Sequence, residues 1–188
     1  VLASYNGERF IREQLDSILS QMNERDEIII SDDGSTDATV EIVNSYDDPR
    51  VRLKIGEREK GPIENFEFAL SFVVKDIVVL ADQDDVWLDG RLDFIRSHFS
   101  RLIGDKYHLL HLDSIPTDVN LVSLRASTHA QINSGSGILK NIYKNTFIGC
   151  HMSFNSRLLQ HVLPFPKGIP MHDSWIGICC EIVGSTTF

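Results

Sequence analysis

Cysteine is scarce in this 188-residue chain, limited to Cys150, Cys179 and Cys180. They form no CxxC pair and no even set, and the adjacent two are badly placed to bridge each other, so a reducing cytoplasm is the expected compartment. Basic residues are outnumbered, 18 Lys and Arg against 27 Asp and Glu for a net charge of −9; without a basic stripe, nucleic acid is not an expected partner. Long apolar runs are missing as well. The longest, Phe72–Ala81, is broken by Lys75 and Asp76, far below the roughly 18 to 20 residues of a spanning helix. The start, Val1-Leu2-Ala3-Ser4, has neither an initiator Met nor a signal-peptide pattern and reads as a chain short of a few N-terminal residues. Neither GxGxxG nor GxxxxGK[ST] occurs, which sets aside dinucleotide oxidoreductases and P-loop NTPases. Gly135-Ser136-Gly137 is only a fragment of a GxSxG elbow, lacks the strand-to-helix context, and reads as loop.

What is present is ordinary for a soluble globular protein: 42% hydrophobic and 24% charged residues, in a length that suits one domain over residues 1–188. Apolar runs alternate with helical patterns, the mark of βα units on a mostly parallel sheet. Val1–Ser4, Glu27–Ser31, Val51–Ile55, Ile77–Ala81 and Tyr107–Leu112 are the expected strands. Between them, helical spacing links Phe10 through Met22, Val40 through Tyr46, Ile63 through Val73 behind Pro62, and Gly90 through Ile103, with Ser35 or Thr36 as the expected cap of the second helix and Asp37 in its first turn. After Asp113 the alternation fades into inserted loops, including a flexible one at Asn133–Gly137.

In open parallel sheets the ligand crevice lies beyond the carboxyl ends of the strands. There the chain places Ser4-Tyr5-Asn6-Gly7-Glu8, Asp32-Asp33-Gly34-Ser35 and Asp82-Gln83-Asp84-Asp85. Carboxylates crowded in one crevice repel, and a divalent cation with oxygen ligands, Mg²⁺ or Mn²⁺, relieves them while binding substrate phosphates. Asp32 alone or Asp37 alone reads as a turn or capping residue. Asp82, Asp84 and Asp85 together read as a site.

Leu2-Ala3-Ser4-Tyr5-Asn6-Gly7, Ile30-Ser31-Asp32-Asp33-Gly34-Ser35-Thr36-Asp37 and Ala81-Asp82-Gln83-Asp84-Asp85-Val86-Trp87 resemble, in order and spacing, the signature blocks of family 2 glycosyltransferases. Gly149-Cys150-His151-Met152-Ser153-Phe154-Asn155, followed by Pro164-Phe165-Pro166 and Met171-His172-Asp173-Ser174-Trp175, resembles the rhamnosyltransferase-like branch that makes bacterial surface polysaccharides. The resemblance implies an α/β, GT-A fold, the Rossmann-like three-layer sandwich of nucleotide-diphospho-sugar transferases with a mostly parallel central sheet. It also implies a UDP- or dTDP-sugar donor, Mn²⁺ or Mg²⁺, and transfer with inversion to a hydroxyl of a glycan or lipid-linked acceptor, at the inner face of the membrane through peripheral association.

By the same resemblance Ala3, Tyr5 and Asn6 line the nucleoside pocket and Asp33 accepts the base N–H, a charge-assisted hydrogen bond. Asp82, Asp84 and Asp85 occupy the family's DxD position, Asp82 toward the nucleotide and Asp84 and Asp85 on the metal. Asp173 falls at the position of the catalytic base; the competing role for it is helix N-cap. His151 and His172 read as packed residues, and Trp87 and Trp175 as core residues before stacking ones. Two departures bear on the sugar and acceptor pockets: Ser174 replaces a second aromatic and His151 a Thr. The chain also ends at Phe188, before the region where relatives supply a further metal-binding His, so a fragment of a longer protein is expected. Two other readings stay open, a sugar nucleotidyltransferase, which the missing triphosphate loop disfavours, and an inactive nucleotide-sugar-binding module.

Overall fold

The computed structural model describes residues 1–56, 59–102 and 107–188. Its first sheet contains β1 (Leu2–Ser4), β2 (Ile28–Asp32), β3 (Val51–Lys54) and β5 (Ala81–Asp82), all parallel, in the order β3-β2-β1-β5. All five residues of β2 are buried, which is why it reads as a continuous apolar run and not an alternating one. α1 (Ile11–Leu19) and α2 (Thr39–Asn44) connect β1 to β2 and β2 to β3. The helices are amphipathic because their apolar residues recur at helical spacing; Ile11, Leu15 and Ile18 turn inward on α1.

Two cores lie about this sheet. One gathers Leu2, Ile11, Leu15, Ile30, Val43 and, from α4 (Arg91–Ser100), Leu92, Ile95 and Phe99. The other joins Phe66 and Leu70 of α3 (Pro62–Leu70) to Leu80, Phe147, Phe154 and, from α8 (His172–Val183), Ile176 and Cys180. Each large side chain buried completely contributes about 1.5–3 kcal/mol.

The expected strand Ile77–Ala81 is two strands. β4 (Ile77–Val79) pairs antiparallel with β7 (Met152–Asn155) in a second sheet, ordered β4-β7-β6-β8, with β6 at His108–His111 and β8 at Ser185–Thr187. Leu80 N–H then bonds to Met152 O at 3.0 Å, and Ala81 N–H bonds to Val1 O at 2.9 Å. The chain thus passes from one sheet to the other at Leu80. This second sheet is mixed, since β6 and β8 run parallel.

Neither Ser35 nor Thr36 caps α2. Ala38 holds the N-cap position without a side-chain bond, and Asp37 instead accepts from Thr39 and from the Glu8 N–H. Loop-to-loop bonding has taken the side chains that a cap would use. Ile103, the expected end of the fourth helix, lies outside the described residues. The inserted region carries α5 (Thr128–Ile132), α6 (Ile138–Tyr143) and, further on, α7 (Leu159–Val162). Among the described residues no helix is long and apolar enough to cross a membrane.

α8 is held close to Phe147 by a glycine. A Cβ on Gly177 would stand 2.3 Å from the Phe147 ring, which is 2% exposed. Gly177→Ala is therefore expected to lower stability by about 1–3 kcal/mol through overpacking, against the gain of up to about 1 kcal/mol that helix propensity alone predicts. Urea denaturation checks the sign; an unchanged or higher midpoint means that the ring has room to yield.

Candidate functional site

β1 has β2 on one side and β5 on the other, so the strand order reverses beside it, and the crevice at such a switch point is where open α/β sheets bind ligands. A crevice of about 610 Å³ opens there, lined by Ala3, Tyr5, Asp33, Phe66, Asp82 and Asp84 among others. A larger cavity, about 670 Å³, lies where β1, β2 and β4 begin, bordered by residues such as Ile18, Met22, Val73 and Trp87. It gathers none of the polar residues that follow the strand ends.

The crevice walls are tied by side chains that cross between loops. Gln83 accepts from Tyr5 N–H at 2.9 Å and returns its own amide N–H to Tyr5 O at 3.0 Å. Asn6, at φ +48°, donates its backbone N–H to Ser35 Oγ and accepts from Thr36 N–H through its side chain. Asn6 thus braces the rim and is not among the lining residues. Asp32 is buried and gathers the Ser4 hydroxyl, the Gly34 N–H and both the N–H and hydroxyl of Ser35, the turn-holding role read for it in isolation. Asp33 lines the crevice, with Oδ2 accepting from Gly61 N–H at 2.9 Å.

Register sets Asp82 beside Ala3, whose small side chain leaves the carboxyl accessible to the crevice. Burial pushes the Asp82 carboxyl up to about 6, and the charge of Asp85 adds to it; the Cys150 thiol opposes both by hydrogen bonding. Asp85 is raised for the same first reason, burial, with the Asp84 charge adding and the Cys150 thiol and Arg91 opposing. One oxygen from each of Asp82 and Asp85 lies within 4.8 Å of the other and of Cys150 Sγ. Burial and the two carboxylates push the thiol well above its usual range, so it remains a donor. Arg91 closes this side, giving Nη2–H to Cys150 O at 2.6 Å.

Asp173 sits one residue inside α8, whose N-cap is Met171 with no side-chain bond. The N-cap role therefore belongs to another residue. Asp173 accepts from the Ser174 N–H and from Asn145 Nδ2, yet burial outweighs these bonds and pushes its carboxyl up to about 6. Its charge is felt at Asp82, which places both in one electrostatic neighbourhood.

His172 stacks on Phe66 with ring centroids 4.0 Å apart, and burial pushes it down to about 4. Both tryptophans are tied into the protein: Trp175 donates to Val162 O at 2.9 Å, and Trp87 is 7% exposed under Arg91. Sequence reasoning missed Gln83, Phe66, Lys60, Arg91 and Cys150 as parts of this region. Gln83 was legible, standing between the acidic residues; Cys150 was not, because only the pairing of β4 with β7 brings it there.

The model of the Glycosyl transferase family 2 matches residues 1–101. Among curated proteins the chain is 26% identical over 171 residues to the UDP-Glc:alpha-D-GlcNAc-diphosphoundecaprenol beta-1,3-glucosyltransferase WfgD of Escherichia coli, covering 88% of this chain and 62% of WfgD. Among solved structures it resembles residues 1–349 of S. aureus TarS in complex with UDP, at TM-score 0.74 and 22% identity over 100% of this chain and 56% of that one. It also resembles the mannosyltransferase PcManGT of Pyrobaculum calidifontis in complex with GDP-Man and Mn²⁺, at TM-score 0.70 and 23% identity over 98% of this chain and 52% of that one. The chain thus spans little more than half of these relatives, and the structural likenesses establish its fold as GT-A. Strand-end blocks and a matching family model over residues 1–101 together make this chain a member of glycosyl transferase family 2.

Proposed function

We propose that this chain is the donor-binding and catalytic part of a metal-dependent, inverting glycosyltransferase that moves a sugar from a nucleoside-diphosphate donor to a hydroxyl of a glycan or lipid-linked acceptor. The observation that carries this reading is the pair of half-buried, raised carboxylates Asp82 and Asp85 at the switch-point crevice, with Asp82 within electrostatic reach of Asp173. WfgD's name includes a diphosphoundecaprenol-linked sugar, which supports a lipid-linked acceptor and action at the cytoplasmic face of a membrane. Rhamnose is the sugar that the branch resemblance suggests.

The crevice fits a hard divalent cation, because its carboxylates offer oxygen donors whose repulsion such an ion removes. Asp84 and Asp85 would hold Mn²⁺ or Mg²⁺, with Asp82 toward the nucleotide. When bound, the ion offsets charge on the departing diphosphate. Ala3 and Tyr5 line the place for the nucleoside, Asn6 holds the rim over it, and Asp33 accepts the N–H of a uracil or thymine ring. Asp173 takes the proton of the acceptor hydroxyl as that oxygen attacks the anomeric carbon and the bond to the diphosphate oxygen breaks. Burial favours this proton transfer, because a carboxylate held near 6 is ionised at neutral pH and more basic than an exposed one.

With Mn²⁺ and a panel of UDP- and dTDP-sugars, the natural-length protein is expected to release nucleoside diphosphate. Absence of release with every donor and acceptor overturns the proposal, and pyrophosphate release from UTP or dTTP plus a sugar 1-phosphate favours the nucleotidyltransferase reading. Asp84→Asn and Asp85→Asn are expected to weaken diphosphate binding and its Mn²⁺ dependence, with stability held or raised in chelator as repulsion is relieved; calorimetry and thermal melts measure both.

Asp173→Asn is expected to slow transfer by roughly 10²- to 10⁴-fold with donor affinity nearly unchanged. In the wild type, transfer should fall as pH drops through about 6, where Asp173 gains its proton. Stability runs the other way: a carboxyl whose folded pKa is raised binds more protons folded than unfolded, so folding weakens as pH rises from about 4 to about 6. Near-normal transfer by the Asn variant removes Asp173 from the base position.

A further inference from the structure

Three histidines that the proposed chemistry does not use meet beside the crevice. His111 ends β6, His129 lies on α5 and His151 ends the 3₁₀ turn Gly149–His151 that leads into β7. A ring nitrogen from each falls within 4.8 Å of the other two. His111 and His151 are 0% and 3% exposed, and His129 is half-buried. Nδ1 of His151 finds no hydrogen-bond partner among the described residues, and an unpaired buried polar group costs about 1–3 kcal/mol.

We propose that His111, His129 and His151 form a second cation site, selective for a nitrogen-preferring divalent ion of the Zn²⁺ class and separate from the aspartate crevice. Imidazoles favour Zn²⁺, whereas Mg²⁺ and Mn²⁺ favour carboxylates, so the two neighbouring clusters sort ions by chemistry. Ligation needs neutral rings, and burial supplies them, pushing His111 down to about 3 and His151 down to about 4. Two charges bear on an ion here. The Arg91 guanidinium opposes it, although its Nη2 is turned onto Cys150 O, and the Asp113 carboxylate favours it.

Ile148 N–H donates to His111 Nε2 at 2.9 Å, and His111 Nδ1 lies 2.8 Å from His129 Nε2. An amide can only donate, so the neutral His111 ring carries its proton on Nδ1 and gives it to His129. The ion takes the place of that proton. Two nitrogens on a tetrahedral centre stand about 3.3 Å apart, so the rings must part by roughly half an ångström. The cost is the Ile148 bond, since His111 then carries its proton on Nε2; Ile148 is extended and outside both sheets.

Such a site explains what holds the inserted region. α5 buries none of its residues, so packing contributes little, and its ties are polar: Ser127 Oγ and His129 N–H to Asp113, Thr128 to Ser114, and His129 to His111. An ion shared by β6, α5 and the turn before β7 would fasten this region to the second sheet next to Cys150. The proposal does not depend on glycosyl transfer.

The test is a Zn²⁺ titration of the whole chain, stripped with chelator and kept in excess Mg²⁺ to occupy the carboxylates. One Zn²⁺ per chain is expected, with a rise in melting temperature. His129→Ala and His129→Gln, at the half-buried member, should lower Zn²⁺ affinity by about tenfold or more and abolish that rise, while Asp85→Asn and Cys150→Ser retain both. Co²⁺ in place of Zn²⁺ should give the visible bands of a low-coordinate nitrogen site without a thiolate charge-transfer band. Zn²⁺ affinity equal in the His129 variants, binding lost with Asp85→Asn or Cys150→Ser, or no one-to-one binding overturns the proposal.

Discussion

A buried backbone must pair its N–H and C=O groups, and between Val79 and Ala81 the chain meets that demand by belonging to two sheets in succession. Val79 O accepts from the Val1 nitrogen, Leu80 N–H goes to Met152 O, and Ala81 N–H goes to Val1 O. Without this handover β5 would not lie beside β1, and the turn at Gly149–His151 would not lie beside Asp82. The acidic cluster, the thiol that donates to it and the histidines behind it all follow from one residue's change of partner.

The cluster that results is electrostatically expensive. A chain of net charge −9 concentrates carboxylates at a half-buried crevice, and burial with mutual repulsion raises Asp82 and Asp85 above the ordinary carboxylate range. Among the described residues, ion pairs include those of Arg50 with Asp48 and of Arg52 with Glu27. Around Asp82 and Asp85 the local relief is modest: a single thiol S–H that faces both carboxylates, and Arg91, whose guanidinium reaches the Cys150 carbonyl. Carboxylates perturbed in this way cluster at functional sites more than in plain surface acidic patches.

Asp173 is raised by the same physics, burial. It is placed by α8, which Gly177 allows to sit against Phe147, and its raised carboxyl comes from burial and not from a nearby anion as the leading cause. Asp173 lies one turn before Gly177, so the packed face of the helix also carries the titrating group.

The sequence alone determined the parallel sheet, because the run Ile28-Ile29-Ile30 with helical spacing on either side admits few other arrangements. It also determined which strand ends carry polar residues, since a parallel sheet sends those ends to one edge. The local signals for a cap at Ser35 or Thr36 and for one strand over Ile77–Ala81 were overridden by bonds to Asn6, Asp32 and Met152. Only the tertiary structure decided that Asp173 is inside its helix and raised, that Cys150 faces Asp82 and Asp85, and that His111, His129 and His151 converge. Those residues are far apart along the chain, and the distance between them depends on which strands pair, a choice made by the whole core and written in no single stretch of residues.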